Sequence, residues 1–373
     1  MVETLCKFLS SDYVVGPLNI ALHGDWGSGK TSLLKTTKKE LKKPDEEIIF
    51  FEAWKHEYSN PALALVTTII QKYEEDLSTS QALVYTAANI LSHKFLNMDL
   101  KAITNSIRKS SKEAVSLNTE LEKIVTTKLK DKKLLIFIDD LDRCDVENTL
   151  MVFAVMKLFL EIKNCICIAA VDLNRLATAW AWKYGKDPKL IKEGTTYLEK
   201  IFQIRIGIPY PSSVQLQDYL KEIVPNMPEN FLKLLSEVGP SNPRNIKRML
   251  NLAIFRNYVL GNDDKSEVIA LLGTIFEIIL SNRGVIEFIR ACGNSENVLD
   301  LMILHGHDWP MIKQRFSFNQ NYITEHNPDV MAQSKLFFEY AQKILKDLDT
   351  TKDVLVPYFD KMIQSSNEAR RLS

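Results

Sequence analysis

The sequence has no excess of charge of either sign. Lys plus Arg and Asp plus Glu both number 47, and the formal net charge is zero. A global electrostatic pull toward nucleic acid or an anionic membrane is therefore excluded, and only a local basic patch remains open. A cysteine framework is also missing. The five cysteines, Cys6, Cys144, Cys165, Cys167 and Cys292, contain no C-x-x-C pair, which argues against a disulfide scaffold and against a paired zinc site. Free thiols in a reducing, cytoplasmic setting fit instead. Cys165 and Cys167 alternate along an expected strand and are expected to face opposite sides of a sheet. No secretory signal is recognisable, because the opening run Met-Val-Glu-Thr-Leu-Cys-Lys-Phe-Leu has charges within its apolar positions. Nor is there a long apolar run. Val268 to Leu280 is short for a membrane span and contains Glu277, so a buried helix is expected there. His305 and His307, near Asp308, read as a surface loop rather than a metal site. No internal repeat is visible.

What is present is concentrated in one stretch. Gly24-Asp25-Trp26-Gly27-Ser28-Gly29-Lys30-Thr31 fits G-x-x-x-x-G-K-[ST], a phosphate-binding loop, with Ser32 next in line. Leu18 to Leu22 reads as a buried strand entering it, and Thr31 to Leu41 as a helix leaving it. Gly24, Gly27 and Gly29 permit backbone conformations and close approaches that a Cβ blocks. The loop N–H groups and the helix N-terminus then face an anion. Lys30 is expected to reach the β- and γ-phosphates, and Thr31 to ligate Mg²⁺.

The 373 residues suffice for two domains, with 46% hydrophobic and 25% charged residues, ordinary values for a folded chain. Residues 1 to 15 read as a short helix. Ile48 to Phe51 reads as a second strand, and Asn60-Pro61 opens a helix to about Tyr73. Residues 74 to 133 form a polar helical excursion without a strand. Its second half is basic (Lys101, Arg108, Lys109, Lys112, Lys123, Lys128, Lys130, Lys132 and Lys133). A solvated helix face is the plain reading, and nucleic-acid binding the rival. Leu134 to Ile138 leads into Asp139 and Asp140 as a third strand, buried on both faces. A helix from Val146 to Ile162, a strand from Cys165 to Asp172 and a helix from Leu173 to Trp182 follow. A helical turn from Tyr197 to Phe202 and a strand from Gln203 to Pro209 complete the series. Strands alternating with helices imply a mostly parallel α/β sheet flanked by helices. Beyond Pro211 only helices are expected: 214–223, 229–238, 245–260, 265–280, 284–291, 332–348 and 352–365. Residues 1–211 are thus expected to form the core domain, and residues 212–373 an all-helical C-terminal domain.

A phosphate loop alone binds nucleotide. Hydrolysis needs an acidic group at the end of a neighbouring strand, which Asp139 supplies as a Mg²⁺ ligand. Asp140 follows at once, placed to polarise the attacking water as general base, and both carboxylates are expected to stay ionised in the loaded site. Asp172 ends the next strand. It is expected either near the γ-phosphate and the water or as the N-cap of the following helix. A transition-state arginine is expected from Arg244, in Asn242-Pro243-Arg244-Asn245-Ile246-Lys247-Arg248, acting within its own chain or on a neighbour. Arg143 and Arg248 are further candidates. For each arginine an ordinary ion pair is the alternative.

Gly24 to Ser32, Ile-Phe-Ile-Asp-Asp-Leu-Asp-Arg-Cys at 136–144, and Phe51-Glu52-Ala53-Trp54-Lys55-His56 together resemble motifs of the KAP family of P-loop NTPases. So do Tyr197 to Gln203 and Asn242 to Arg248. Glu52 and His56 depart from that family's F-N-A-W-x-Y pattern. The resemblance implies an ATPase of the additional-strand division, in which a strand lies between the two Walker strands. Ile48 to Phe51 is the expected occupant of that place. Many members of the family carry membrane helices between the Walker motifs, whereas here that interval is polar. Bacterial members resemble phage-exclusion and defence proteins, which points by analogy to a bacterial or mobile-element role. Trp54 is expected to pack under the loop, with adenine stacking as its rival. Trp26 is expected to shield the phosphates or meet a partner.

The function expected is an ATP- and Mg²⁺-dependent hydrolytic switch that self-associates and meets a protein effector. A nucleotide-dependent scaffold with little turnover is the alternative, and a small-molecule phosphotransferase a third. The absence of a guanine-reading N-K-x-D segment favours ATP over GTP.

Overall fold

The computed structural model describes residues 1–41, 43, 47–93, 111–130, 132–158, 162–184, 188–225, 227–239, 242–260, 264–317, 328–348, 355–357 and 360–361. The chain divides into two compact units, Met1–Pro209 and Tyr210–Ser373.

The N-terminal unit contains helix α1 (Val2–Ser10), strand β1 (Leu18–His23), helix α2 (Lys30–Leu41) and strand β2 (Ile48–Glu52). A 3₁₀ segment, Ala53–Ser59, leads to α3 (Pro61–Tyr73), α4 (Leu77–His93) and α5 (Ser111–Leu129). Strand β3 (Leu134–Asp139), a 3₁₀ turn at Leu141–Arg143, α6 (Val146–Leu158) and β4 (Cys165–Val171) come next. Helices α7 (Leu173–Tyr184) and α8 (Pro188–Ile201) precede β5 (Ile204–Gly207). All neighbouring strands run parallel, in the order β2-β3-β4-β1-β5. The sheet is therefore the parallel α/β arrangement read from the sequence.

Its order corrects one expectation. The strand between β1 and β3 is β4, whereas β2 lies at the edge beside β3. Strand order depends on long-range pairing, and the local composition of Ile48 to Phe51 does not encode it. Burial does follow position. Every residue of β3 and β4 is buried, as expected of central strands covered on both faces. The edge strand β5 alternates between half-buried and exposed.

Alternation divides the strands between two apolar layers. Ile20, Leu22, Ile48, Leu135, Phe137, Ile166, Ile168 and Ala170 pack with Leu5 and Leu9 of α1 and Leu34 of α2. Ala21, Phe51, Ile136, Ile138, Cys165, Cys167, Ala169 and Val171 pack with α3 to α8 on the other face. Cys165 and Cys167 therefore share one face, because residues two apart on a strand point the same way. The expectation that they face opposite sides is overturned. All five thiols are free.

The polar excursion also belongs to this core. Ala87, Ile90 and Leu91 of α4 and Leu117, Leu121, Val125 and Leu129 of α5 bury their apolar stripe in the second layer. Lys101, Arg108 and Lys109 lie outside the described residues, as does the side chain of Lys112. Several of the remaining basic residues have partners within the chain. Lys128 pairs with Glu75 at 2.5 Å and Lys132 with Glu47 at 3.0 Å, and Lys123 lies 3.9 Å from Glu120.

The C-terminal unit contains α9 (Ser213–Ile223), α10 (Glu229–Val238), α11 (Pro243–Leu260), α12 (Asp264–Cys292), α13 (Ser295–Ile303), α14 (Trp309–Ser317) and α15 (Pro328–Asp347), with no strand among the described residues. A capping box starts α9: Ser212 Oγ accepts from Gln215 N–H, and Ser212 N–H donates to Gln215 Oε1. The core centres on Phe276, which stacks on Phe337 at 5.1 Å and meets Phe288 and Phe338 edge-on. The two helices expected at 265–280 and 284–291 are one, because α12 continues through Gly284. An interior glycine costs a helix only about 1 kcal/mol, and buried Phe276, Ile279, Phe288 and Cys292 hold both halves in the same core. Most of the helix expected at 352–365 lies outside the described residues. Among the described residues no helix is long and apolar enough to cross a membrane.

Candidate functional site

Strand β1 delivers the chain into a loop at residues 24–29, and α2 begins at Lys30. Gly27 (φ 90°) and Gly29 (φ 95°) occupy left-handed backbone that side chains disfavour, so the loop can close tightly only with glycine there. Ser28 N–H donates to the Asp25 carbonyl at 3.1 Å, and Leu33 N–H to the Gly29 carbonyl at 2.9 Å. The first turn of α2 contains no acidic residue, which leaves its N-terminal N–H groups and dipole suited to an anion.

Lys30 is held within this loop and is only 8% exposed. Its Nζ donates to the carbonyls of Gly24 (2.8 Å) and Asp25 (3.1 Å) and lies 3.4 Å from Asp142 Oδ2. That last contact is an ion pair without hydrogen-bond geometry, because Asp142 Oδ2 is buried and has no hydrogen-bond partner. Asp142 belongs to the D-D-x-D run read from the sequence, which assigned it no role. A third carboxylate so soon after a strand-end pair was the available signal.

Thr31 and Asp139 meet. Thr31 Oγ1 donates to Asp139 Oδ1 at 3.1 Å. The same oxygen accepts Asp140 N–H at 3.0 Å, while Asp139 Oδ2 is buried without a hydrogen-bond partner. Burial pushes the Asp139 carboxyl above the ordinary carboxylate range, and neighbouring Asp140 pushes it further. An orphaned carboxylate oxygen beside a hydroxyl forms a hard-oxygen donor set. Mg²⁺ takes one or two such protein ligands and completes its shell with water and phosphate oxygens, so these residues fit that ion. Among the described residues no group of three or more His, Cys, Asp and Glu side chains is arranged to hold a metal without such help.

Asp140 stands in left-handed backbone (φ 59°, ψ 26°), and this turns the chain from β3 into the 3₁₀ turn. Its Oδ1 lies 2.9 Å from Arg143 Nε. Burial raises its pKa, Arg143 opposes, Asp142 and Glu52 reinforce burial, and the net direction is upward. The guanidinium of Arg143 also lies over the Trp54 ring, 5.6 Å from its centroid. Trp54 is 52% exposed, so the expectation that it packs as core under the loop is overturned. The 3₁₀ segment that contains it is tied to the turn after β3, because Glu57 Oε1 accepts Asp145 N–H at 2.9 Å and its carbonyl accepts Asn148 Nδ2 at 3.0 Å. Trp26, within the loop, is 56% exposed.

Glu52 is a second residue to which the sequence reading gave no function. It pairs in register with Asp139 at the carboxyl end of β2, and it forms ion pairs with Lys55 and with Lys35 of α2. Asp172 follows β4. Val171 pairs with His23, so Asp172 and Gly24 leave the sheet at the same level. Its Oδ1 accepts Arg175 N–H at 3.0 Å, the geometry of a helix N-cap.

Lys30, Thr31, Asp139, Asp140 and Asp142 are thus brought together within the N-terminal unit. Arg244 belongs to the C-terminal unit, in the first turn of α11, where its N–H donates to Asn242 Oδ1 at 3.0 Å. Arg248 lies one turn further along the same helix.

A family model described as KAP family P-loop domain matches residues 1–260. The phage T7 exclusion protein of Escherichia coli (strain K12) is 24% identical over 287 residues, which cover 63% of this chain and 38% of that protein. This chain therefore spans well under half the length of that relative.

Proposed function

We propose, from the premise that this chain belongs to the KAP family of P-loop domains, that it binds ATP with Mg²⁺ at residues 24–32 and hydrolyses it as a nucleotide-dependent switch. The observation that carries this reading is the 3.1 Å hydrogen bond between Thr31 and Asp139, residues 108 positions apart. It joins the hydroxyl of one phosphate-loop motif to the carboxylate of one strand-end motif, which a chance glycine-rich turn has no reason to do.

In this reading the N–H groups of Gly24 to Ser32 cradle the phosphates, and Lys30 takes the β- and γ-oxygens. Thr31 and Asp139 hold Mg²⁺, which when bound neutralises charge on those oxygens. Asp140 accepts a proton from the attacking water as its oxygen bonds to the γ-phosphorus, and the bond from that phosphorus to the β–γ bridging oxygen breaks. Arg244 is assigned to the transition-state charge, in cis or from a second copy of the chain, and the C-terminal helical domain (212–373) to output through a protein effector. Asp172 is assigned to the same carboxyl-end layer. A cytoplasmic role in phage exclusion is part of the proposal, by analogy with the phage T7 exclusion protein.

Phosphate release from wild type, Lys30→Ala and Asp140→Asn tests the enzymatic reading. Turnover in wild type that both variants abolish is the expected result; no wild-type turnover, with or without a partner, overturns it. One observation favours the scaffold reading as a second: Asp140, the assigned base, is already engaged by Arg143 at 2.9 Å. Labelled-nucleotide occupancy measured beside turnover separates the two readings.

A further inference from the structure

We propose that Asp142 is a positioning residue for Lys30, and that its carboxylate competes with the phosphates of the incoming nucleotide for the Lys30 ammonium. This rests on the nucleotide-binding reading of the loop.

The placement of Asp142 is fixed by its surroundings. The left-handed Asp140 reverses the chain, and Arg143 N–H and Cys144 N–H then close 3₁₀ bonds to the carbonyls of Asp140 and Leu141. Leu141 is fully buried, and its carbonyl also accepts from Thr149 Oγ1 at 3.0 Å. With Leu141 anchored below, the carboxylate of Asp142 is directed at the loop, and its side chain is only 4% exposed.

An ammonium has three donors. Those of Lys30 face two neutral carbonyls, on Gly24 and Asp25, and one anion, Asp142. A phosphate oxygen that accepts from Lys30 must displace one of the three. The two carbonyls belong to the loop that frames the ligand. Asp142, at 3.4 Å, holds the ammonium by charge alone and without hydrogen-bond geometry, so it is the partner with no directional hold on a particular N–H. It is also the partner that repels a polyphosphate, and in a site this buried that repulsion is poorly screened. Asp142 therefore keeps the lysine neutralised and folded into the loop until a more highly charged anion takes it over. Nucleotide affinity is set below what Lys30 alone provides.

Two measurements test this. In titrations of a fluorescent ATP analogue, Asp142→Asn keeps the shape and removes the charge, and it is expected to bind about tenfold more tightly than wild type. A carboxylate that only braced the loop gives equal or weaker binding on substitution, and that result overturns the proposal. Should Asp142→Asn fold poorly, Asp142→Ser carries the same comparison. In thermal unfolding without nucleotide, Lys30→Met strands a buried carboxylate and is expected to lower Tm by about 5 °C or more, and adding Asp142→Asn to it restores most of the loss. Additive losses in the double variant overturn the coupling. If wild type binds no nucleotide at all, the nucleotide-binding reading fails and the competition falls with it, while the melting comparison still decides whether Asp142 acts through Lys30.

Discussion

Arg143 Nε lies 2.9 Å from Asp140 Oδ1, and the same guanidinium covers the face of Trp54. The pair is partly screened, with side chains 33% and 19% exposed, so it tunes Asp140 rather than neutralising it. Arg143 opposes the rise that burial imposes on the Asp140 carboxyl. Removing the arginine raises that pKa further. A base acts only when deprotonated, so Arg143→Ala is expected to move the acid limb of the pH–rate profile to higher pH. Trp54 emission should shift in the same variant as the cation leaves its ring. An acid limb that stays in place separates Asp140 from the proton transfer.

The hydrogen bond from Thr31 to Asp139 makes a second expectation quantitative. Thr31→Ala removes one hard-oxygen donor and frees Asp139 Oδ1 from a hydroxyl. Nucleotide affinity measured with magnesium should fall on the order of tenfold, while affinity measured in EDTA should change little. Equal losses under both conditions would mean that Thr31 supports the loop rather than the ion.

Much of this was legible in the sequence, because the signals were local. The glycines at 27 and 29, the apolar run ending in Asp139 and the proline after Asn60 each specify their own backbone, and Asn60 Oδ1 does accept Leu63 N–H at 3.1 Å. What was not legible depended on partners distant in sequence. Placing β4 between β1 and β3 takes two sets of parallel pairings that no single strand encodes. The exposure of Trp54 depends on where the Glu57–Asp145 tie holds its segment. The role of Asp142 depends on the left-handed turn at Asp140, which a non-glycine residue gives little reason to expect. The faces of Cys165 and Cys167 were legible and were misread, since a period of two places both on one side.

Glu47 gives a pH-dependent expectation about stability. It accepts from Lys43 at 2.8 Å and pairs with Lys132 at 3.0 Å, which ties the start of β2 to the chain entering β3. Burial works against its charged form, but the two ammonium groups outweigh burial and hold its carboxyl below the ordinary range. A depressed folded-state pKa stabilises the fold above the unfolded value, roughly pH 4, and that contribution is lost as pH falls through the folded value. Glu47→Gln should therefore lower Tm at neutral pH, and the gap to wild type should close under acid. A gap that stays constant down to pH values below the carboxylate range would show that the ion pairs are not its source.

Arg256 and Glu277 explain the acidic residue inside the apolar stretch of α12. Their side chains are 14% and 8% exposed, they pair between α11 and α12, and Arg256 Nη1 also donates to Thr274 Oγ1 at 3.1 Å. Breaking such a pair from one side leaves a buried charge. Arg256→Leu is expected to destabilise the protein by about 3 kcal/mol, and Arg256→Leu/Glu277→Leu by much less. Chemical denaturation of the three proteins decides this, and a double variant no more stable than the single would refute it.

Asp172 offers two roles that one pair of substitutions separates. Its Oδ1 accepts Arg175 N–H in the manner of an N-cap, and it leaves the sheet level with Gly24. Asparagine caps helices about as well as aspartate, so Asp172→Asn should preserve stability, whereas Asp172→Ala should cost about 1 kcal/mol. If capping is the whole role, ATP turnover of Asp172→Asn equals that of wild type. If the carboxylate also works on the γ-phosphate or the water, turnover falls while the denaturation midpoint holds, because only the charge has been removed. The position at the carboxyl edge between the two Walker strands favours the second outcome. An unchanged rate in the asparagine variant would assign Asp172 to the helix alone.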